Sequence, residues 1–415
     1  MENISEQEVL EIAIEVAFNL LKNGAEIARV EDTIAYICKS YGASKIDCYA
    51  IPNLIIASIE DETGTYTTKI KRNYSVNNNL YKIEAFNQLS RDICKTLPTK
   101  DEVMTKIKEI KAKRVYHLAI KFLGAFIAAF GCSLFFGGTW RDSICGGLVG
   151  ISVYALLQIE LLEKHKVLYT LLASIFGGVI SGLLCLIGIG ENISFVMIGG
   201  VMMLIPGISI GTSLKDIIYG DVVSGSVRLI QAISASMAIA AGFSIWVLVF
   251  KQDIGFNRIN PFYLMLLGGP AASIGYGIIF NLKPNKLLFI SLGSLMSCSV
   301  YMLLLHVSPN DVFLATFAAV ATGAIYAEVL ARFIKAPAVC LMLPSIIVLV
   351  PGSTLFFMMC NLIKYDQQEF LFHLSTMVVA SLAIALGIIV SQIVGLSISR
   401  IIREIKLRKI KKERA

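Results

Sequence analysis

The sequence predicts a polytopic α-helical membrane protein: ten transmembrane helices as two inverted five-helix repeats, preceded by a small cytosolic α+β domain. Three observations carry that class. The 415-residue chain is 56% hydrophobic, with a mean hydropathy of +0.71, too apolar for an ordinary soluble protein. Its charges are unevenly spread, with 33 in residues 1–114 but only 24 in residues 115–399. An apolar run broken by Pro-Gly occurs twice, at matching places in the two halves of the apolar region.

The four expected segments follow the charge pattern: a cytosolic domain (1–115), a first five-helix repeat (116–255), a second (256–399) and a basic tail (400–415) holding eight basic and two acidic residues. The N-terminus is acidic (Glu2, Glu6, Glu8, Glu11), unlike the positive start of a signal peptide, so the leading domain is expected in the cytosol. In it, "SEQEVLEIAIEVAFNLLKNG" places Val9, Ile12, Ala13, Val16 and Leu20 on one helical face, with Gly24 as the stop. A second helix is expected over 29–41, strands near 46–51, 54–60 and 65–72, a hairpin across Glu62-Thr63-Gly64, and helices near 79–95 and 100–114. Glu26, Arg29, Glu31 and Asp32 cluster at the start of the second helix. They read either as helix-end charges and surface ion pairs or as a contact or gate serving the membrane half.

A helix needs about 20 apolar residues to cross a hydrocarbon core of roughly 30 Å. Ten segments qualify: 117–136, 143–162, 167–189, 195–213, 228–250, 262–281, 287–307, 311–333, 337–360 and 370–399. With a cytosolic N-terminus the inner loops hold eight Lys/Arg and the outer loops four, which satisfies the positive-inside rule and puts both termini in the cytosol. The tail then lies at the anionic inner leaflet, as a stop-transfer anchor or a lipid site.

The two breaks are "VMMLIPGISIGTS" (Val201 to Ser213) and "LMLPSIIVLVPGSTLFF" (Leu341 to Phe357). Proline inside a helix costs about 3 kcal/mol, and lipid offers no water to the freed backbone groups. Pro206-Gly207 and Pro351-Gly352 both fall in the fourth span of their set. At 1.5 Å per residue they lie roughly 17 Å and roughly 21 Å along it, near mid-bilayer. Tyr219-Gly220-Asp221 follows the first pair and Tyr365-Asp366 the second, so the halves read as an internal duplication. Five is odd, so the second set enters the membrane inverted, the architecture of many secondary transporters. The half-helix after each break starts with unpaired N–H groups and a positive dipole end. Ser209, Thr212 and Ser213 stand beside the first, Ser353 and Thr354 beside the second. These nine residues, the prolines and glycines included, are the expected substrate site, suited to a carboxylate; the bland reading is a pair of packing kinks.

Three carboxylates are candidates for proton coupling. Glu328 lies inside the eighth span, with Arg332 four residues on as an ion-pair partner. Asp216 and Asp221 follow the first broken span. The four histidines are far apart and the nine cysteines form no CxxC, so neither a metal nor a cofactor is expected. "GISIG" (Gly207 to Gly211) matches the G-x-S-x-G nucleophile elbow, but it sits in a span with no histidine between His165 and His306, which argues against an enzyme. No G-x-x-x-x-G-K-[ST] loop is present for ATP. The expected partners are a small-molecule substrate and membrane lipids, with self-association open and nucleic acid not expected.

The stretches "GAEIARVEDTIAYICKSYGA" (Gly24 to Ala43), "CYAIPNLIIASIEDETG" (Cys48 to Gly64) and "LFFGGTWRDSICGGLVG" (Leu134 to Gly150), with both Pro-Gly spans, resemble the bacterial threonine/serine exporter family. The resemblance implies a cytosolic N-terminal domain and ten spans, in a form that fuses two halves at a seam near Lys251 to Pro261. It also implies export of threonine, serine or a similar small metabolite across the cell membrane, driven by the proton motive force. Some split relatives are associated with dicarboxylate efflux, which leaves succinate-like substrates as an alternative. A membrane-anchored sensor is the rival of another class, though it has no need of ten spans or matched breaks.

Overall fold

The computed structural model describes residues 5–60, 64–159, 166–205, 207–218, 220–250 and 262–414. The chain divides into two units, Met1–His117 with Phe280–Lys283, and Leu118–Ile279 with Pro284–Ala415.

In the first unit, α1 (Glu6–Lys22) starts with a capping box in which Ser5 and Glu8 satisfy each other's backbone N–H groups. Its apolar stripe is fully buried, with Leu10, Ile12, Val16 and Leu20 at 0% exposure. After Gly24, in the left-handed region at φ +93°, α2 runs Ile27–Ser40. Strands β1 (Lys45–Ile51), β2 (Leu54–Glu60) and β3 (Tyr66–Arg72) form an antiparallel sheet in that order. The alternation in β2 sends Ile55, Ala57 and Ile59 to the core. Of the expected turn, Glu62 and Thr63 lie outside the described residues; Gly64 has φ +83°. Helices α3 (Leu80–Thr96) and α4 (Lys100–Ala112) complete the unit. Each element falls within two residues of its expected place.

Glu11 bridges β3 and α4 by accepting hydrogen bonds from Lys69 and Lys100. Those bonds, the one from Lys100 foremost, hold its carboxyl down at about 2. Burial pushes the Cys38 thiol up to about 12, so it stays protonated and inert.

Among its described residues the second unit has helices as its only regular elements. Its first set is α5 (Leu118–Phe136), α6 (Trp140–Leu156), α7 (Lys166–Leu186), α8 (Ile193–Met202), α9 (Gly207–Ile218) and α10 (Val222–Phe250). Its second set is α11 (Phe262–Ile279), α12 (Leu287–Val307), α13 (Val312–Phe333), α14 (Ala338–Ile346), α15 (Gly352–Ile363) and α16 (Gln367–Arg414). Among the described residues seven single helices are long and apolar enough to cross a membrane, or eight when the bent pair Ala338–Leu349 and Gly352–Leu362 is taken as one span. The other two of the ten expected spans are shorter pieces. In place of segment 143–162 the described residues form α6, of 17 residues and ending at Leu156, and in place of 195–213 they form α8 and α9, of 10 and 12 residues. The chain is a multi-pass membrane protein.

The packing of the first set recurs in the second. Contacts α5–α6, α5–α8, α6–α7, α6–α8, α7–α8, α7–α10 and α9–α10 have the counterparts α11–α12, α11–α14, α12–α13, α12–α14, α13–α14, α13–α16 and α15–α16. The sets meet most extensively where α5 crosses α11. Glycines let the two backbones touch there, as small residues do in membranes. A Cβ added at Gly131 would stand 2.6 Å from the Gly268 carbonyl oxygen, and one at Gly268 would stand 2.6 Å from the Gly131 oxygen. Gly124 meets Gly275 and Ile278 in the same way, so α5 and α11 run antiparallel.

Two further contacts define the ends of this unit. Phe122 and Tyr154 stack edge to face at 5.6 Å, and the Tyr169 hydroxyl bonds the Leu156 carbonyl, so α5 and α7 start at one end. Parallel packing of α7 on α10, with Gly242 against Ser174 and Gly182 against Trp246, puts the start of α10 at that end too.

Candidate functional site

The two breaks abut. At the first, α8 ends with Leu204 and Ile205 both donating to the Val201 carbonyl, at 2.8 and 3.2 Å. The Met202 carbonyl, freed by the break, accepts a 2.6 Å bond from the Tyr276 hydroxyl of α11, which answers the demand for a backbone partner in lipid. Pro206 lies outside the described residues, and α9 begins at Gly207. At the second break α14, which contains Pro344, passes through a 3-10 turn (Ile347–Leu349) to Pro351, the N-cap of α15. The bend is 43°. A Cβ at Gly352 would meet the Met202 sulfur at 2.6 Å and the Ile205 Cδ1 at 2.8 Å, so the first turn of α15 rests directly on side chains of the first break.

A cavity of about 490 Å³ lies beside the second break, within the size range of small-ligand sites. Pro351, Ser353 and Thr354 line it, with Thr316 of α13 and Glu369 and His373 of α16. Its apolar wall includes Phe135 at the C-terminal end of α5 and Tyr301 of α12, which puts it toward the end of the bundle opposite the start of α5. Ser353 is buried in the first turn of α15, where backbone N–H groups have no intrahelical acceptor. The Thr354 hydroxyl donates to the Pro351 carbonyl at 2.8 Å, fixing that turn. The His373 ring stacks on Phe357 at 5.5 Å, and its Nε2 is 3.7 Å from a Glu369 carboxylate oxygen. Its Nδ1 is buried with no hydrogen-bond partner among the described residues.

The expected site is therefore brought together in part. Pro351, Ser353 and Thr354 face the cavity, and Gly352 touches the other break. Ser209, Thr212 and Ser213 are not among its lining; Thr212 bonds the Ser209 carbonyl at 3.4 Å, and Ser213 is fully buried. Glu328 accepts from Arg332 at 3.2 Å, and Arg332 also donates to the Gly395 carbonyl. Asp216 accepts from Arg228 at 3.0 Å, while the Asp221 carbonyl accepts from Gly225 at the start of α10. Of the first unit's charge cluster, Glu31 accepts the Ala50 N–H of β1 at 2.8 Å and Arg29 donates to Asn87 of α3 at 3.3 Å.

Two features escaped the sequence. His373 and Glu369 form an i, i+4 pair at the start of the tenth expected span, and its only signal is that spacing. Asp142 is wholly buried, accepting from Thr139 and, at 2.8 Å each, from the Glu191 and Asn192 N–H groups, which ties α6 to the loop before α8. The Thr139-x-x-Asp142 capping box was its legible trace.

A comparison with curated proteins and with solved structures finds no match. Family models do match: one for a threonine/serine exporter covers residues 11–250 and a second, for the same exporter, covers residues 266–394. The matched segments adjoin around the expected seam, Lys251 to Pro261, which lies outside the described residues. With both halves matched across nearly its whole length, the chain belongs to the threonine/serine exporter family.

Proposed function

We propose that this chain is a secondary transporter exporting threonine, serine or a similar small polar amino acid across the cell membrane, driven by the proton gradient. The observation that carries the reading is the abutment of two broken helices beside a cavity whose wall holds the first turn of one of them. A half-helix N-terminus in a water-poor cavity favours a carboxylate. In this reading Gly207, Ser209, Thr212 and Ser213 with Pro206, and Pro351, Gly352, Ser353 and Thr354, form two half-sites.

The ten spans are α5, α6, α7, α8–α9 and α10, then their five counterparts, inverted, with both termini cytosolic. The recurrence of every packing pair and the antiparallel crossing of α5 on α11, the first helices of the two sets, support inversion. So does a constant 145-residue interval between the sets. It pairs Pro206 with Pro351 and Gly220 at φ +97° with Tyr365 at φ +59°. It also pairs the 2.9 Å bond from the Asp221 N–H to the Asp216 carbonyl with the 3.0 Å bond from the Asp366 N–H to the Asn361 carbonyl.

The test is release of labelled threonine, serine and succinate from vesicles under an imposed proton gradient. Gradient-dependent threonine or serine release supports the reading, succinate release alone selects the dicarboxylate exporter, and no flux of any of them refutes transport. Proton coupling is assigned among Glu328, Asp216 and Asp221. Of Glu328→Gln, Asp216→Asn and Asp221→Asn, the variant that keeps threonine exchange but loses its response to the gradient identifies the carrier.

A further inference from the structure

Resting on the exporter reading, we propose that Arg228 is a ligand for the substrate carboxylate in the conformation facing the other way. Here Asp216 occupies the place that carboxylate takes. The 145-residue interval pairs Arg228 with His373, and the elements around both agree: a residue in the left-handed region, then an aspartate, then the first turns of α10 or α16. His373 lines the cavity at the second break. The same interval gives Arg228 the corresponding place in the first turns of α10, which start toward the opposite end of the bundle, and there it meets Asp216 of α9, the half-helix that follows the first break.

The chemistry at Arg228 fits an anion. Its guanidinium is largely buried, at 17% side-chain exposure, and bonds Asp216, whose side chain is 9% exposed, at 3.0 Å. Burying two charges in an apolar bundle is costly and weak as a source of stability, so the pair calls for a role. Asp216 lies three and four residues after Ser213 and Thr212 on α9, on the same helical face as those hydroxyls. A Cβ at Gly225, one turn before Arg228, would stand 2.6 Å from the Ser213 carbonyl oxygen, so this face of α10 is pressed against that one. When the sets exchange conformations, the first break opens as the second does here. Arg228 then exchanges the Asp216 carboxylate for that of the incoming amino acid, with both bonds charge-assisted.

The experiment uses the full-length protein in vesicles, with labelled threonine offered from each face and 1-amino-2-propanol, which is threonine without its carboxylate, as competitor. Arg228→Gln is expected to raise the KM for threonine at the Arg228 face about tenfold or more, the scale of one charge-assisted hydrogen bond. It leaves the KM at the other face within about twofold, which certifies the fold, and it abolishes the preference for threonine over the amino alcohol. Arg228→Lys, which retains a cation, keeps part of that preference. Two results overturn the proposal: a preference undiminished in Arg228→Gln, or full recovery of the Arg228-face KM when Asp216→Arg is combined with Arg228→Asp, the behaviour of a mere ion pair. A wild-type protein that moves neither threonine nor serine overturns the exporter reading instead, and this inference with it.

Discussion

Substituting Gly131 by alanine tests the crossing on which the two-set architecture turns. A Cβ there would stand 2.3 Å from the Ala272 nitrogen, 2.6 Å from the Gly268 oxygen and 2.9 Å from the Ala272 Cα. Comfortable heavy-atom contact is roughly 3.5 Å, so the overlap is about 1 Å. Every atom struck is backbone, and no rotamer change relieves it. Overpacking of this kind costs about 1–3 kcal/mol, and backbone against backbone belongs at the upper end. Alanine's helix propensity returns about 1 kcal/mol. The net loss of about 2 kcal/mol lowers the melting midpoint by roughly 4–8 °C on the scale of a domain of this size. Gly268→Ala, whose Cβ would stand 2.4 Å from the Phe135 nitrogen, loses a similar amount. Gly178→Ala, with its nearest atom at 3.3 Å, loses nothing comparable. Thermal unfolding of the purified protein in detergent reads all three. Gly131→Ala melting together with Gly178→Ala and wild type refutes the close antiparallel crossing.

Leucine at Gly352 must displace Met202 and Ile205, and so separates the breaks; threonine flux in vesicles is lost while the protein still inserts, and unchanged flux counts against the site. Leucine at Gly207 is expected to act in the same way. Asp142→Asn leaves either the Thr139 donors or the Glu191 and Asn192 N–H groups without an acceptor, a loss of about 1–3 kcal/mol read as a lower melting midpoint. Because the folded state depresses the Glu11 carboxyl to about 2, its contribution is complete above the ordinary value of 4.5 and is lost as pH falls from there toward 2. The protection of α1 amides, taken relative to their intrinsic exchange rates in the full chain, therefore falls across that window, and Glu11→Gln flattens the change.

Composition and periodicity carried most of the architecture. The amphipathic stripe of α1, the alternation of β2 and the apolar runs each report a local preference written in consecutive residues, and the structure places those elements close to where the sequence does. The doubled Pro-Gly was legible as a break because proline and glycine act on their own backbone. The partners of each break were not legible. That Tyr276 bonds the carbonyl freed at Met202, that Gly352 rests on Ile205, and that the cavity gathers Ser353, Thr354 and His373 are contacts between residues distant in the chain. The glycines at 124 and 131, and at 268 and 275, repeat one seven-residue spacing, yet only the packed helices revealed that the two stripes face each other. Local sequence determines where a helix must stop, because backbone groups answer to their own neighbours. Which distant side chain answers the groups left over is a question of packing, and the tertiary structure alone decided it.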